Sequence, residues 1–276
     1  DFMVIGAQKS GTTSLANQLA KHTGICLSRI KEPGYFHKTE DWRAGLAEYH
    51  ALFDPAPGQL CGEASTFYTF FPESQGTAQR LHQYNPNLKL IYLMRQPVER
   101  VISHYTHNFV RNIDQRPPQE AIAQDPAYIN RSRYAVQLRR YLEYFELDNI
   151  LLLTFEQFVA DQTATLQEIA TFLQISPHDF VDVAEATSHQ SVGKSYLKYD
   201  AIRRIAKKDS FQAVRPYIPT SIRRPIKNLF SNKLSEKPHF SPELKQMIWQ
   251  MVEDDVYAVE NIMGRRLERW HEGYVA

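Results

Sequence analysis

Apolar runs and amphipathic stretches alternate along most of this chain. Short apolar runs bounded by turn residues predict β-strands near 2–6, 24–28, 60–64, 88–94 and 150–154. Apolar residues at helical spacing predict α-helices near 12–22, 42–53, 73–84, 97–112, 133–146, 156–173 and 241–262. Strands that alternate with helices are typical of βαβ units. We therefore predict an α/β fold with a central parallel sheet and helices on both of its faces.

Two proline-rich segments interrupt this pattern. Residues 113–127 contain Pro117, Pro118 and Pro126, which favours a surface excursion within the domain. Residues 190–240 are rich in Lys and Arg, have few apolar runs and contain four further prolines. We predict that this basic segment is a loop-rich cover on the sheet, and that residues 1–276 form a single domain.

The length, net charge and hydropathy of the sequence narrow the range of functions. The chain has 276 residues and a formal net charge of +1, so no strong field draws it to nucleic acid or to a membrane. No apolar segment approaches the length of a membrane span and no signal peptide is visible. We therefore expect a cytoplasmic protein without a nucleic-acid partner, and the oligomeric state stays open. The sequence opens without Met, which also suits a domain separated from a leader or anchor.

Cys26 and Cys61 are the only cysteines in the sequence. Two thiols are too few for a disulfide framework or a metal-ligand cluster, so we predict neither. Both lie in predicted strands, and free cysteine is among the residue types that proteins bury most often. We expect both to be buried reduced thiols.

The strongest functional signal is the turn that follows the first predicted strand. Gly6 and Gly11 enclose a short loop, and a predicted helix begins directly after it. Backbone N–H groups at a helix start converge on an anion, and the helix dipole adds to the attraction. We predict that this loop binds a phosphorylated ligand, with the contacts made by Lys9, Ser10, Gly11, Thr12, Thr13 and Ser14.

The loop differs from the phosphate loop of nucleotide triphosphatases. In that pattern the lysine follows the second glycine, whereas Lys9 precedes Gly11 here. Kinases and ATPases also need an acidic group to help hold Mg²⁺. The best later strand ends instead in Arg95, a cation that suits a second phosphate. The pattern favours anion binding over Mg-ATP chemistry.

Two further positions follow predicted strands. Glu32 lies just after the second strand, and Arg95 ends the fourth strand with Ser103 about two turns along the next helix. Ligands of open parallel sheets bind beyond the carboxyl ends of the strands, so these residues are expected near the first loop. Arg95 and Ser103 form a plausible clamp for a second phosphate.

Each of these residues also has a purely structural interpretation. Glu32 suits a solvated loop acid, Arg95 a partner in a surface ion pair, and Ser103 a serine on a helix surface. Their joint placement at strand ends favours the functional interpretation. His104 and His107, on the same helix, are alternative bases to Glu32, although lone helix histidines are more often surface or structural residues.

These motifs together resemble the PAPS-dependent sulfotransferases, where PAPS is 3′-phosphoadenylyl sulfate. The closest likeness is to the heparan sulfate sulfotransferase-like branch and its bacterial relatives. The likeness is strong over about 1–110 and weak from 175 onward, apart from the ending Gly264-Arg-Arg-Leu-x-x-Trp270. The segments that carry it are Gly6-Ala-Gln-Lys-Ser-Gly-Thr-Thr-Ser14, Lys31-Glu32-Pro-x-x-Phe36, Gly62-Glu-Ala-Ser65 and Arg95-x-Pro97-x-x-Arg100-x-x-Ser103-x-Tyr105.

The resemblance implies a P-loop NTPase-like three-layer fold and a role for each candidate residue. The loop from Lys9 to Ser14 would hold the 5′-phosphosulfate of PAPS, and Arg95 with Ser103 would hold the 3′-phosphate. Glu32 would be the general base that takes the acceptor proton. Lys9 would stabilise the negative charge that develops on the leaving phosphosulfate. No metal is expected, because a sulfuryl group carries less charge than a phosphoryl dianion.

The sequence departs from that family at three points. Ala64 stands where the heparan enzymes have an additional lysine after the third-strand glutamate, which weakens the case for a heparan-like acceptor. Their paired cysteines near the carboxyl-terminal nucleotide loop are absent. That loop itself is not evident either, and Gly193 with Lys194 is the best candidate for its equivalent.

The sequence thus predicts transfer of a sulfuryl group from PAPS, which leaves as PAP, to an acceptor hydroxyl. The acceptor would be a carbohydrate or a small metabolite, and an amine is the less favoured alternative to the hydroxyl. Two other functions stay open: a divergent kinase that uses Mg-ATP, and a domain that binds PAP without catalysis.

Overall fold

A computed structural model of the chain describes residues 1–38, 40–180, 195–197, 231–233 and 238–274. Its centre is a five-stranded sheet in the order β2-β3-β1-β4-β5, and every neighbouring pair is parallel. The strands are β1 Phe2–Gly6, β2 Ile25–Leu27, β3 Leu60–Ala64, β4 Lys89–Met94 and β5 Ile150–Thr154. All five predicted strands are therefore confirmed to within one or two residues.

Helices connect the strands and follow the last of them. They are α1 Thr12–Leu19, α2 Tyr35–Lys38, α3 Leu46–His50, α4 Thr77–Tyr84, α5 Pro97–Val110, α6 Pro118–Gln124, α7 Ala127–Asn130, α8 Tyr134–Leu142, α9 Phe155–Ala160, α10 Gln162–Leu173, α11 Pro242–Met263 and α12 Glu268–His271. Short 3₁₀ turns lie at Thr66–Thr69 and Leu147–Asn149. An antiparallel ribbon pairs β6 Ser195–Leu197 with β7 Ser231–Lys233.

The two faces of the sheet bury separate hydrophobic cores. Side chains alternate between the faces along each strand, so Val4 and Met3 of β1 belong to different cores. Val4 packs in the core that α1 and α10 cover, whereas Met3 packs in the core formed with α4, α5, α8 and α11. The molecule therefore has three layers, with helices on both faces of the sheet as predicted.

The segment with three prolines lies mostly at the surface, as predicted, but its helical structure was not predicted. It forms α6 and leads into α7, and both helices contribute side chains to the core. Ala121 and Ile122 of α6 and Tyr128 and Ile129 of α7 are buried. Proline at the start of a helix loses no hydrogen bond, which explains why Pro118 begins α6 rather than preventing it.

Other helix boundaries also differ from the prediction. The helix predicted over 156–173 is two helices, because Asp161 leaves helical geometry and its carboxylate accepts a hydrogen bond from the Ala164 backbone N–H at 2.8 Å. The helix predicted over 42–53 shrinks to α3, and α2 and α12 were not predicted.

Most of the basic segment 190–240 lies outside the described residues. Its proposed role as a cover, and the assignment of the whole chain to a single domain, stay predictions. Within the ranges described, no helix combines the length and the apolar character that crossing a membrane requires.

Candidate functional site

The loop between β1 and α1 lies at the carboxyl end of the sheet. Gly11 precedes α1 in the left-handed region with φ 92°, and α1 has neither a side-chain cap nor an acidic residue in its first turn. A Cβ atom at Gly11 would come within 2.8 Å of the Phe155 ring, so both the backbone and the packing require glycine. Ser10 and Thr12 are buried, whereas Thr13 and Ser14 are half-buried. The uncapped N–H groups of α1 suit an anionic ligand.

Lys9 connects this loop to α5. Its ammonium lies 3.1 Å from Nδ1 of His107, and its backbone adopts a left-handed conformation with φ 72°. Its carbonyl oxygen accepts a hydrogen bond from the Arg95 guanidinium at 3.4 Å. Two of the residues predicted from separate motifs, Lys9 and Arg95, are thus in direct contact.

Arg95 is held at the carboxyl end of β4 by four neighbours. Besides the Lys9 carbonyl, its guanidinium pairs with Glu99 at 3.4 Å and lies over the Phe155 ring at 5.0 Å. The Tyr134 hydroxyl donates to the Arg95 carbonyl at 2.7 Å. An ion pair was the structural interpretation of Arg95, although its partner Glu99 was not predicted. The ion pair coexists with the contact to residues 6–14, which are called the phosphate loop from here on after their predicted ligand. Ser103 is half-buried on α5, where its role stays a prediction.

The segment after β2 reaches the phosphate loop through Lys31. The Lys31 ammonium donates to Oγ1 of Thr13 at 2.7 Å, and Glu32 follows with a left-handed φ of 53°. The half-buried Glu32 carboxylate accepts a hydrogen bond from the Thr66 hydroxyl at 3.3 Å. The Ser65 hydroxyl, which accepts from the Gly34 N–H at 2.9 Å, fixes the same segment. Glu32 is therefore tied to the carboxyl end of β3, one residue away from the Lys31–Thr13 contact.

The two histidines of α5 have different surroundings. His104 is buried, and the loss of solvent lowers its pKa well below the usual value, with the cations Arg100 and Arg131 adding to the effect. It is therefore neutral near pH 7. His107 is half-buried beside Lys9. The expectation of a structural histidine fits the buried His104. The role of His107, whose ring lies beside Lys9, stays a prediction.

Arg131, which follows α7, was not recognised in the sequence. Its guanidinium donates to the Gln8 amide oxygen at 3.0 Å, lies 3.7 Å above the Phe70 ring and pairs with Glu73 at 3.5 Å. Gln8 belongs to the phosphate loop, so Arg131 is part of the site's wall. No local motif marks it, because only the packing of α7 brings residues this distant in sequence to the loop.

Glu63, within the motif Gly62-Glu-Ala-Ser65, is a buried carboxyl. The Tyr49 hydroxyl donates to it at 2.7 Å. Burial raises the pKa of Glu63, and the hydroxyls of Tyr68, Tyr49 and Ser65 oppose that rise. The residue holds β3 to the aromatic cluster around α3.

Gly193 and Lys194, the candidates for a second nucleotide loop, lie outside the described residues. Within the part of the chain that the structure describes, no three His, Cys, Asp or Glu side chains lie together as a metal site would require.

Comparison with known proteins identifies the family. The family described as sulfotransferase domain matches residues 1–239. Among curated proteins, mouse bifunctional heparan sulfate N-deacetylase/N-sulfotransferase 4 is 27% identical over 201 residues, covering 64% of this chain and 22% of that protein. Mouse heparan sulfate glucosamine 3-O-sulfotransferase 6 is 29% identical over 181 residues, covering 62% of this chain and 51% of that protein. The chain thus spans about half or less of the length of these relatives.

Solved structures share the fold. A sulfotransferase from Alicyclobacillus acidocaldarius aligns over 98% of both chains with a TM-score of 0.65 and 24% identity. A mouse sulfotransferase complexed with PAP aligns over 96% of this chain and 87% of its own, with a TM-score of 0.50 and 16% identity. The three-layer architecture described above is therefore the P-loop NTPase-like fold, as the sequence resemblance implied.

Proposed function

Because this chain belongs to the family of sulfotransferase domains, we propose that it transfers a sulfuryl group from PAPS to an acceptor hydroxyl. One observation carries the proposal: the uncapped start of α1 lies beside Lys9, and Arg95 contacts the same loop from the end of β4. Two cationic side chains and a helix dipole at one point suit a ligand with two separate phosphate groups.

The described residues fit the two ends of this donor. We assign the 5′-phosphosulfate to the loop from Lys9 to Ser14, whose N–H groups begin α1. We assign the 3′-phosphate to Arg95 and Ser103, since a planar guanidinium binds phosphate oxygens in pairs. Gly193 and Lys194 remain the candidates for further contacts with the nucleotide. The mouse neighbour that was solved with PAP supports the choice of nucleotide.

Glu32 is proposed as the general base. Its carboxylate would take the proton of the acceptor hydroxyl while that oxygen attacks sulfur and the bond from sulfur to the bridging oxygen of PAPS breaks. The hydrogen bond from Thr66 orients the carboxylate and leaves its other oxygen for the acceptor. The Lys31–Thr13 contact ties this base to the phosphate loop.

Lys9 is proposed to stabilise the bridging oxygen as negative charge develops there. A lysine ammonium and backbone N–H groups supply this stabilisation directly at a fixed position. The sulfuryl group carries less charge than the phosphoryl group of ATP. We therefore propose that these donors stabilise the transition state without the Mg²⁺ that kinases use. PAP then leaves with the electrons of the broken bond.

A carbohydrate is the proposed acceptor class, with a small metabolite as the alternative. Both heparan sulfate enzymes described above support a sugar acceptor. The 3-O-sulfotransferase supports a hydroxyl, whereas the N-sulfotransferase supports the less favoured amine. Ala64 argues against a heparan-like polymer, because the additional lysine of those enzymes has no counterpart here. A cytoplasmic location remains our proposal on the grounds given by the sequence.

A thermal-shift comparison of PAP with Mg-ATP tests the donor. A ligand at 100 times its Kd stabilises a protein by about 2.7 kcal/mol, so the true ligand raises the midpoint by several degrees. We expect a shift with PAP and none with Mg-ATP; the reverse would favour a kinase and overturn the proposal. An acceptor screen with sulfur-labelled PAPS then separates transfer from simple binding. Binding of PAP without transfer to any of a broad panel of sugars, alcohols and amines would contradict catalysis.

A further inference from the structure

The two cysteines of the chain lie side by side in the sheet. Cys26 of β2 and Cys61 of β3 are direct partners in the parallel register. Residues in register on neighbouring strands point to the same face, and neighbouring strands lie about 4.8 Å apart. That spacing falls within the range of roughly 4.4–6.8 Å between Cα atoms that a disulfide bridges. Both thiols are free, and they are half-buried rather than buried as predicted.

Cys61 is also accessible from an open cavity. The cavity has a volume of about 490 Å³ and is lined by Cys61 together with Tyr49, His50, Glu63 and Tyr84. It lies away from the phosphate loop, at the side where β1 begins. A small oxidant therefore has a path to this thiol that does not cross the proposed donor site.

The surroundings of Cys61 disfavour its thiolate at neutral pH. Burial raises the pKa of Cys61, and the neighbouring Cys26 thiol adds to the rise. Since the thiolate is the reactive form, oxidation of this pair is expected to accelerate as the pH rises above neutrality.

We propose that Cys26 and Cys61 form an oxidation site that a hydroperoxide converts to a cross-strand disulfide. The Cys61 thiolate attacks one peroxide oxygen, the O–O bond breaks, and the departing hydroxide or alkoxide takes up a proton. The sulfenic acid left on Cys61 is then attacked by the Cys26 thiolate, and its oxygen leaves as water. Each sulfur is oxidised by one electron overall, and the peroxide takes up both electrons.

The disulfide would stabilise the pairing of β2, a short edge strand, with β3. β2 is three residues long, forms the edge of the sheet and pairs only with β3 among the described strands. It leads directly to Lys31 and Glu32, so a disulfide would restrict the opening of the strand that carries the proposed base. Closing a loop between positions 26 and 61 removes conformations from the unfolded chain and stabilises the folded one.

The test treats the reduced protein with hydrogen peroxide at pH 7 and at pH 8.5, then measures intact mass under non-reducing conditions. We expect a loss of about 2 Da, a peptide that joins Cys26 to Cys61, faster formation at pH 8.5 and full reversal by dithiothreitol. Thermal unfolding of the oxidised protein should occur about 5 °C higher. Hydrogen exchange of residues 24–32 should slow.

The matched controls are Cys26→Ser and Cys61→Ser, each of which removes one partner with little change in volume. Neither variant should lose the 2 Da, and neither should show the peroxide-dependent gain in thermal stability. Peroxide adducts of 16 or 32 Da on the wild-type protein without a linked peptide would overturn the proposal. So would a disulfide found only between two molecules. Mass and exchange need neither donor nor acceptor, so this outcome is independent of the proposed function.

Discussion

The Lys9 ammonium lies 3.1 Å from Nδ1 of His107, so a residue of α5 is within hydrogen-bonding distance of the lysine in the phosphate loop. An ammonium has only donors, and Nδ1 must therefore be unprotonated to accept from it. The contact fixes where the lysine points. We therefore expect His107 to position Lys9, whereas the sequence alone suggested it as an alternative base to Glu32.

Replacing His107 with Ala should lower kcat about tenfold, because Lys9 would lose the partner that orients it. PAP binding should change by less than about threefold, since the N–H groups of α1 are untouched. Steady-state kinetics and calorimetry measure the two effects. His107→Gln offers an oxygen acceptor and should restore part of kcat. If His107 were the general base, the glutamine variant would be as inactive as the alanine variant.

Replacing Glu32 with Gln should reduce turnover by about 10²–10⁴-fold, the usual contribution of a general base. The side chain keeps its size and can still accept the hydrogen bond from Thr66. PAP affinity should stay within about twofold of the wild type. Single-turnover assays with labelled PAPS and calorimetry with PAP measure the two quantities. A large loss of PAP binding would instead show that Glu32 holds the loop together.

Replacing Arg95 with Met should weaken PAP binding about tenfold to a hundredfold, the range for loss of a hydrogen bond to a charged group. The PAP affinity of Arg95→Lys should lie between those of the wild type and Arg95→Met, because lysine keeps the charge but lacks the planar guanidinium. Arg139, exposed on α8, is the matched control, and its replacement by Met should leave affinity unchanged. Adenosine 5′-phosphosulfate, which lacks the 3′-phosphate, should bind the wild type and Arg95→Met equally. A large difference there would contradict the assignment of Arg95 to the 3′-phosphate.

Glu63 should make the stability of the protein depend on pH. Its pKa is raised above the ordinary 4.5 by burial, so the folded state holds this proton at pH values where the unfolded state has lost it. The contribution is thus fully present below the unfolded pKa and is lost as the pH rises through the folded pKa. Urea unfolding at a series of pH values above 4.5 should show this decline in the wild type and not in Glu63→Gln. If the free energy of unfolding depended on pH in the same way in both proteins, Glu63 would not be the source of the decline.

Local patterns determined much of the fold and part of the site. Each strand was predictable because short apolar runs end at turn residues, and a parallel sheet brings the carboxyl ends of its strands together. The glycine at position 11 and the hydroxyl residues after it mark an anion-binding helix start for the same local reason. The segment 118–130 was not predictable, because its prolines occupy helix starts while its few apolar residues are buried by packing.

The sequence by itself predicted an anion-binding loop after β1, and it determined that Glu32 and Arg95 follow other strands of the same sheet. These properties depend on residues that are neighbours along the chain. Only the tertiary structure decided that Lys9 contacts both His107 and Arg95, that Arg131 reaches Gln8, and that Cys26 faces Cys61. Such contacts depend on strand order, register and helix packing, and these are set by the burial of two whole cores rather than by any local pattern.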